Sequence, residues 1–463
     1  MKRLLWTWGP SALCFMLVLG FSLAFYYRAP YHDHWDFIPL YAAFQNGDLS
    51  LGEVFAPHGG HWHASGYLVQ LVLSQVTGMA HWVESFASVI FAGLGFVALV
   101  RILARSMADL EISGVAPWVF GLSAFFLFSL DQAGNWLWGW QVAVFVMIAG
   151  ALWAIERLTR GPLSVANTLV AAVATAISIY AFATAWALIP IGFSLLLVFG
   201  ALSSRTGWLC LALWSLLTCL LLWHLALSRA TVPDHVSSLP DLTEFETWIG
   251  ISQYTLNFVA SPIARFIRDS ALLIAAIGIG VFVWSIRTIH HAEKRTIVPA
   301  IAPLLALAAF AWGAGGLTAL GRWEEFGVQQ AFVSRYISFG NLFWISVLVL
   351  AVFAIAKTNY RTHMRTCSVL GLFLLLKVGN IPSVVIKSVE LSRSIAETSQ
   401  QIAGAYPTVE TADLEVLHSP SQQIMPHLEI LATHRASFFH DYTREEGVPS
   451  SPDDFSRQPD DRP

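Results

Sequence analysis

The stretch LLWTWGPSALCFMLVLGFSLAFYY, from Leu4 to Tyr27, decides the fold class of this chain. It contains no charged side chain and is long enough to cross the hydrocarbon core of a bilayer as a single helix. Lys2 and Arg3 precede it, and basic residues beside a span favour the cytoplasmic side. The run is also longer than the apolar part of a usual signal peptide. It therefore predicts an uncleaved anchor with a cytoplasmic N-terminus.

Ten further apolar runs follow the first. They are Trp82–Leu103, Val115–Leu130, Val142–Ile155, Leu163–Tyr180, Ala185–Leu202, Gly207–Leu227, Ser270–Ile286, Ile297–Leu320, Tyr336–Ala356 and Cys367–Val385. Because only helices and closed barrels satisfy their backbone in lipid, we predict an all-α polytopic membrane protein. We expect about eleven transmembrane helices, within a range of nine to thirteen.

The composition points to the same class. Hydrophobic residues make up 56% of the chain and charged residues 12%, and the mean hydropathy is +0.60. This is too little charge for a soluble surface. The net charge of −4 excludes a nucleic-acid binder that relies on a basic face. The four cysteines lie in apolar stretches without zinc-site spacing, so they carry no redox or metal signal.

Lysine and arginine residues fall in alternate connections between the runs. The groups are Arg101/Arg105, Arg157/Arg160, Arg205, Arg287/Lys294/Arg295 and Lys357/Arg361/Arg365. All of them are cytoplasmic if the weak apolar run Ala64–Met79 does not cross the membrane, and the C-terminus is then external. If that run crosses, the basic connections face outward, which the positive-inside rule disfavours.

This topology divides the chain into three parts. Residues 1–385 form a transmembrane domain, in which residues 28–81 are an external loop with a juxtamembrane helix. Residues 386–442 form a short helical external tail, and residues 443–463 are acidic, rich in proline and expected to be disordered. The other external segments are Asp131–Gln141, Ser228–Asp269 and Gly321–Arg335.

The densest polar cluster, Tyr31-His32-Asp33-His34-Trp35-Asp36, comes directly after the first span. Carboxylates at i and i+3 share one face of a helix or turn. Such a pair suits a general base for an acceptor hydroxyl, or a divalent-cation ligand. The alternative is a solvated loop in which the histidines are interfacial.

A second cluster, Pro57-His58-Gly59-Gly60-His61-Trp62-His63, holds three histidines. They could bind zinc with a ligand from Asp33, Asp36 or His34. We consider it more plausible that one or two of them hydrogen-bond a phosphate or a sugar hydroxyl.

A third stretch, Asn135-Trp136-Leu137-Trp138-Gly139-Trp140-Gln141, sets three indoles and two amides at a span boundary. Indole faces stack on sugars and amides bind hydroxyls, so Asn135, Trp136, Trp138, Trp140 and Gln141 are candidate sugar- or acceptor-binding residues. The alternative is an interfacial aromatic belt, which composition alone favours.

Two cations stand out among the later spans. Arg335 begins a span, where it either snorkels to the interface or grips a lipid-linked phosphate with its two-donor fork. Lys377 lies inside the last span, and an intramembrane charge needs a partner or a water-filled cavity.

In their order, the stretches Asp33–Phe37, Pro57–His61, Asn135–Gln141 and Ser334–Tyr336 resemble bacterial polytopic proteins of the GT-C glycosyltransferase architecture. The likeness covers most of the chain up to about Tyr360. One departure is that such relatives often read His-Asn-Glu-His-Arg where this chain has His58-Gly59-Gly60-His61-Trp62.

The resemblance implies roles for individual residues. Asp33 acts on the acceptor or its metal, and Asp36 supports it. Arg335 meets the phosphate of a polyprenyl carrier, together with His58 or His61. Whether a divalent cation, held by Asp33, Asp36, His58 and His61, serves as a cofactor is left open by the sequence.

We therefore expect a multi-pass bacterial inner-membrane glycosyltransferase. It would transfer a sugar from a polyprenyl-phosphate donor to a surface polysaccharide, a lipid or an exported protein such as pilin on the periplasmic side. Its expected partners are this donor, the acceptor and membrane lipids, with no nucleic acid. One alternative is an O-antigen polymerase or ligase, which would use arginine and histidine of the loop Ser228–Asp269. Another is a lipid-linked-sugar flippase or transporter, for which Lys377 is the clearest midplane charge.

Overall fold

The structure, a computed structural model, describes residues 2–58, 61–229, 240–293, 297–358, 364–418, 420 and 423–440. The α-helices are α1 (Lys2–Phe25), α2 (Ile38–Asn46), α3 (Leu51–Val54), α4 (Ala64–Thr77), α5 (His81–Asp109), α6 (Ala116–Leu127), α7 (Ala133–Leu137), α8 (Val142–Leu158), α9 (Val165–Ala181), α10 (Leu188–Val198), α11 (Arg205–Arg229), α12 (Phe245–Ala264), α13 (Ala271–Ala292), α14 (Val298–Phe326), α15 (Ile337–Lys357), α16 (Met364–Ala405) and α17 (Met425–Thr433). Strands β1 (Pro57–His58) and β2 (His61–Trp62) pair as an antiparallel hairpin.

Within the described residues, nine helical segments are long and apolar enough to cross a membrane. They are Leu4–Phe25, His81–Asp109, Ser113–Leu137, Gly139–Leu158, Arg205–Ser228, Arg268–Ala292, Val298–Phe326, Ser334–Lys357 and Thr366–Ala405. The two remaining predicted runs form shorter apolar helices, Val165–Ala181 and Ala183–Val198. The prediction of an all-α polytopic membrane protein is confirmed, and the count of eleven stays a prediction.

Helix α4 contains the weak apolar run whose crossing decides the predicted orientation. It has 14 residues. At about 1.5 Å per residue it is about 21 Å long, shorter than the roughly 30 Å hydrocarbon core. Gln70 on this helix is fully buried against the protein. These features favour a helix that does not cross the membrane.

Helices α8 and α15 are the most enclosed of the nine candidate spans, and small residues let their neighbours approach closely. A Cβ on Gly150 of α8 would lie 2.2 Å from the Ser178 Oγ of α9. On α5, a Cβ on Gly95 would lie 3.3 Å from the Cα of Ala149. Small residues are how membrane helices gain close packing without a hydrophobic driving force.

The prediction of a long external loop over Ser228–Asp269 is wrong for residues 245–264, which form the helix α12. This helix lies against α13, α14, α15 and α16. The Tyr254 hydroxyl donates to the Gln330 side chain and the Asn257 amide to the Val328 carbonyl. Hydropathy misses this helix because its buried face carries threonine, tyrosine, asparagine and serine.

The last predicted span, Cys367–Val385, is part of a longer helix, because α16 continues to Ala405. The predicted end of the span at residue 385 is set by the drop in hydropathy. The helix itself continues past this residue because its side chains are packed against other parts of the protein. Beyond that point Ile395 and Ile402 are buried, and Ser392 donates to the Tyr26 carbonyl. Residues 386–405 are therefore an extension of the last helix. The predicted disordered segment 443–463 lies outside the described residues.

Lys377 ties α16 to the rest of the bundle. Its ammonium lies 2.6 Å from Asp131 Oδ2 and 2.7 Å from Asn341 Oδ1, and all three residues are fully buried. A buried cation needs such a counter-charge, because an unpaired one would cost several kcal/mol. Lys377 is thus a paired structural cation in this conformation.

The two ends of the bundle differ in their polar residues. The end of the bundle at which α1 ends and α5, α8 and α15 begin is called the site end. At this end the Tyr27 N–H donates to the Leu137 carbonyl. We call the arginine end the one where α5 and α8 end; there Arg105 contacts Glu156. Helix α1 begins at the arginine end, with Trp8 stacked on Phe120 near the start of α6.

The described residues of the C-terminal segment, 406–418, 420 and 423–440, pack on the site end. The His32 N–H donates to the Leu417 carbonyl over 2.9 Å, and the Ser437 N–H donates to the Gly78 carbonyl over 3.1 Å. The start of α1 and this tail therefore lie at opposite ends of the bundle. The membrane side that each end faces stays a prediction.

Candidate functional site

The acidic pair lies on a 3₁₀ helix, His32–Phe37, directly after α1. Side chains three residues apart eclipse one another in a 3₁₀ helix, so Asp33 and Asp36 share its exposed face. His34 and Trp35 point to the other side and are buried. The two carboxylates share one face, as their spacing predicts, whereas their role stays a prediction.

Asp36 meets the histidine hairpin. Its Oδ2 lies 3.8 Å from the Nδ1 of His58 on β1. The Asp36 side chain is 52% exposed and the His58 side chain 19%, so the pair opens to solvent. Partial burial raises the pKa of Asp36 and the charge of Asp33 adds to this, while His58 opposes it. A carboxylate and an imidazole in this arrangement can exchange a proton with a bound hydroxyl.

The three histidines of the hairpin have different surroundings. The His58 ring lies 5.2 Å from that of Trp140, and the His61 ring lies 5.5 Å from that of Phe182. His63 stacks face to face on Trp140 at 4.1 Å and 6°. The His58 ring lies between the other two, with its centre 6.0 Å from that of His61 and 6.2 Å from that of His63.

His63 is buried in this stack, and neither ring nitrogen has a hydrogen-bond partner among the described residues. Burial lowers its pKa well below the ordinary value, with smaller contributions from the charges of His58, His61 and His34. His63 is therefore a neutral ring whose role is packing.

The indole stretch lies inside the protein. Trp136 is fully buried, stacks on Phe145 at 4.1 Å and donates its N–H to the Ser129 carbonyl. The prediction that Trp136 faces a sugar is therefore wrong in this conformation, because no face of its ring is free. Trp138 and Trp140 are also buried, one against Tyr31 and the other against His63. Their rings act as packing.

The two amides are equally enclosed. Asn135 is fully buried and donates to the Ser338 hydroxyl and to the Arg335 carbonyl. Gln141 is buried at the start of α8. The prediction that Asn135 and Gln141 bind sugar hydroxyls is not supported here. Asn135 instead fixes the backbone that carries Arg335.

Arg335 lies beside the acidic 3₁₀ helix. Its charge lowers the pKa of Tyr31 against the larger effect of burial, and it adds to the burial that lowers the pKa of His32. Its guanidinium lies 5.5 Å from the ring centre of Tyr336. The site end thus holds the Asp36–His58 pair near the end of the 3₁₀ helix, and Arg335 near Tyr31 and His32 at its start.

Sequence reasoning missed a buried polar network directly beneath this surface. The Nε2 of His34 lies 3.3 Å from Glu84 Oε1, and the Nδ1 of His81 lies 2.9 Å from Glu84 Oε2. The Nε2 of His81 lies 2.7 Å from the Oγ of Ser437 in the tail. Gln70 of α4 approaches His34 at 3.2 Å. Four separate segments therefore meet in one network around Glu84.

This network, and not the predicted set, has the spacing of a metal site. Within the described part of the chain, the group of three possible ligands with all ligand atoms within 4.8 Å is His34, His81 and Glu84. The predicted set Asp33, Asp36, His58 and His61 does not form such a group among the described residues.

One sequence signal could have found Glu84. It is the only acid in the run Trp82–Leu103, and His81 precedes it by three residues, which places both on one helical face. An acid in an apolar span is a functional or structural site by default. The partner His34 could not be found this way, because its approach depends on tertiary packing.

Gly139 makes room for the carboxylate. A Cβ at this position would lie 2.0 Å from Glu84 Oε2 and 2.8 Å from Glu84 Cδ. The glycine between Trp138 and Trp140 therefore allows the indole stretch to pass directly over Glu84. Any side chain there would displace the carboxylate.

Comparison with protein-family models, with curated proteins and with solved structures finds no match for this chain.

Proposed function

We propose that this protein is a membrane-embedded glycosyltransferase of the GT-C type that uses a sugar carried on a polyprenyl phosphate. The observation that carries the proposal is that Asp36 pairs with His58 at 3.8 Å and lies on a 3₁₀ helix at whose start Tyr31 and His32 lie in the field of the Arg335 charge. A transfer from a phosphate carrier needs a base for the acceptor and a cation for the leaving phosphate. In this proposal the site end faces the periplasm of a bacterial inner membrane.

The acceptor half of the reaction belongs to the acidic 3₁₀ helix. Asp36, 3.8 Å from His58, is placed to accept the proton of an acceptor hydroxyl as its oxygen bonds to the anomeric carbon of the sugar. Asp33 on the same face orients the acceptor. The C–O bond to the carrier phosphate breaks in the same step, and its electrons stay on the phosphate.

The donor half belongs to Arg335. Negative charge grows on the phosphate as the sugar leaves, and a guanidinium fork can place two parallel hydrogen bonds on it. Asn135 supports this role because its amide holds the Arg335 carbonyl. Because Trp136, Trp138 and Trp140 are buried, the half-buried ring of Tyr31 is the aromatic surface best placed for the sugar.

The test is Arg335→Lys in purified protein, with a polyprenyl-phosphate sugar as donor and release or transfer of the sugar as the readout. Both side chains carry one positive charge and both can snorkel, so an anchor should tolerate the change. A phosphate fork should not, since the loss of one charge-assisted hydrogen bond costs about 1.5–3 kcal/mol, or about ten- to a hundredfold in donor use.

The matched control is Arg322→Lys. Arg322 lies 5.3 Å from the ring centre of Phe326, as Arg335 does beside Tyr336. The control should keep wild-type donor use. Wild-type donor kinetics in the Arg335 variant would show that Arg335 is only an interfacial anchor. A loss of donor use in the Arg322 variant alone would place the phosphate site at Arg322.

A second candidate, a lipid-linked-sugar flippase, is favoured by the buried charges of Lys377 and Asp131 within the spans. Intramembrane ion pairs often mark transport pathways. Proteoliposomes loaded with a lipid-linked sugar separate the two functions. Movement of an intact donor between leaflets, without sugar release, would support the flippase.

A further inference from the structure

We propose that His34, His81 and Glu84 form a binding site for one divalent transition-metal ion, for which zinc is the best match. Two imidazoles and one carboxylate are a ligand set that zinc takes in proteins. The site lies beneath the acidic surface of the site end. The proposal does not depend on glycosyl transfer.

The spacing of the ligand atoms fits this ion. In a tetrahedral site with bonds of about 2.0–2.1 Å, neighbouring ligand atoms lie roughly 3.3 Å apart. His34 Nε2 and Glu84 Oε1 are 3.3 Å apart, and His81 Nδ1 and Glu84 Oε2 are 2.9 Å apart. All three residues are at most 4% exposed, so side-chain shifts below about 1 Å would enclose an ion.

Gln70 gives an independent reason to place a cation here. Its side chain is fully buried, and its Oε1 has no hydrogen-bond partner among the described residues. Its Nε2 lies 3.2 Å from His34 Nε2, so the Gln70 amide borders the ring nitrogen that faces Glu84. With its amide turned over, Gln70 supplies a fourth oxygen ligand.

The C-terminal tail completes the surroundings of the ion. Metal-binding histidines commonly donate their second ring N–H to a neighbouring group, which fixes the orientation of the ring. The Nε2 of His81 has such a partner in the Ser437 Oγ at 2.7 Å. Ser437 holds a left-handed backbone conformation, with φ at +57°. A cavity of about 50 Å³ borders His81 and Ser437.

The metal would fix the acidic 3₁₀ helix to α5. His34 lies between Asp33 and Asp36 on this short helix, so a bond from His34 to the ion sets the height and rotation of both carboxylates. The ion thus has a positioning role, and its ligands leave the exposed face open.

The experiment measures zinc in the purified full-length protein after zinc loading and removal of loose metal. We expect about one zinc per chain. The variants His34→Gln, His81→Gln and Glu84→Gln should each lose it, and His58→Gln should keep it. Ser437→Ala should retain the stoichiometry and weaken affinity by about ten- to a hundredfold in competition with a chelator, because it removes only the outer hydrogen bond.

Two further readouts keep the proposal open to refutation if a ligand variant fails to fold. Zinc should raise the melting temperature of the wild-type and His58→Gln proteins, and a chelator should lower it. Cobalt in the wild-type protein should give the visible absorption of a four-coordinate ion. Wild-type protein that binds no zinc, or binding that His58→Gln abolishes and His34→Gln leaves intact, would overturn the proposal.

Discussion

Two buried glutamates, one at each end of the bundle, are neutralised by different chemistry. Glu84 at the site end lies between the imidazoles of His34 and His81. Glu156 at the arginine end is fully buried, with Arg105 at 2.6 Å, Arg101 at 3.1 Å and Arg157 at 3.3 Å.

The difference lies in what the partners can do. A guanidinium stays charged at every physiological pH and has no lone pair to offer, so the Glu156 cluster has one protonation state. An imidazole can be neutral, protonated or metal-bound, so the Glu84 cluster can adopt several protonation and ligand states. The arginine end is therefore a fixed anchor, whereas the site end can exchange protons or ions.

The largest expected effect is on activity at the site end. Asp36→Asn keeps the shape of the side chain and removes the proton acceptor, so sugar transfer should fall by about two to four orders of magnitude. The matched change Asp109→Asn, at the end of α5, should leave transfer unchanged. Turnover of a lipid-linked sugar by the two purified variants measures both. Equal transfer activity in the Asp36 and Asp109 variants would show that Asp36 is not the proton acceptor.

Removal of each buried negative charge should reveal the difference in stability. Glu156→Gln leaves three guanidiniums close together, and we expect a loss of about 2–3 kcal/mol in the free energy of unfolding, since the arginines are partly solvated. Glu84→Gln should lose only about 1 kcal/mol in metal-free protein, because its histidines can become neutral. Denaturant unfolding in detergent measures both, and equal losses would contradict the contrast.

Gly139→Ala tests how tightly Glu84 is held. The new methyl would overlap the carboxylate, so we expect a loss of about 1–2 kcal/mol in stability and weaker zinc binding. Gly316→Ala in α14 is the control, because a Cβ there meets nothing within 4 Å. If both changes are tolerated equally in thermal unfolding, the close approach of Glu84 is not required.

The smallest expected effect is the pH dependence that His63 contributes. Its pKa is lowered in the folded protein, so below about pH 6.5 the unfolded chain binds a proton that the folded protein does not. Stability should therefore fall with acidification, by about 1 kcal/mol from this residue between pH 7 and pH 5.5.

His63→Phe should remove that part of the slope, and His61→Phe on the hairpin should not. The measurement is the free energy of unfolding at several pH values for both variants, each of which keeps His58 and His34. A slope that is unaltered in the His63 variant would mean that its ring accepts a proton in the folded state.

Much of the fold follows from hydropathy, because lipid requires long apolar helices and nine of them lie where the runs predict. Hydropathy fails at α12, where Tyr254 and Asn257 find polar partners inside the protein. It fails again at residue 385, where α16 continues into polar sequence. In both places, contacts with other helices stabilise a helix that its own composition does not indicate.

The candidate site was predictable only where the spacing is local. The shared face of Asp33 and Asp36 follows from three-residue spacing, whereas the position of Arg335 near Tyr31 and His32 depends on tertiary packing. The burial of Trp136 and the meeting of His34 with Glu84 depend on which helices are neighbours, and no local pattern encodes that.

The docking of the tail has a consequence for how the chain is made. The Leu417 carbonyl and the Ser437 hydroxyl are partners of His32 and His81, yet they are synthesised last. Chains emerge from the ribosome in order, and early segments fold before late ones exist. The segment between α1 and α5 therefore lacks these partners until the candidate spans that follow it have been synthesised. A chain that stops before residue 437 would place all its helices in the membrane and still lack a finished site.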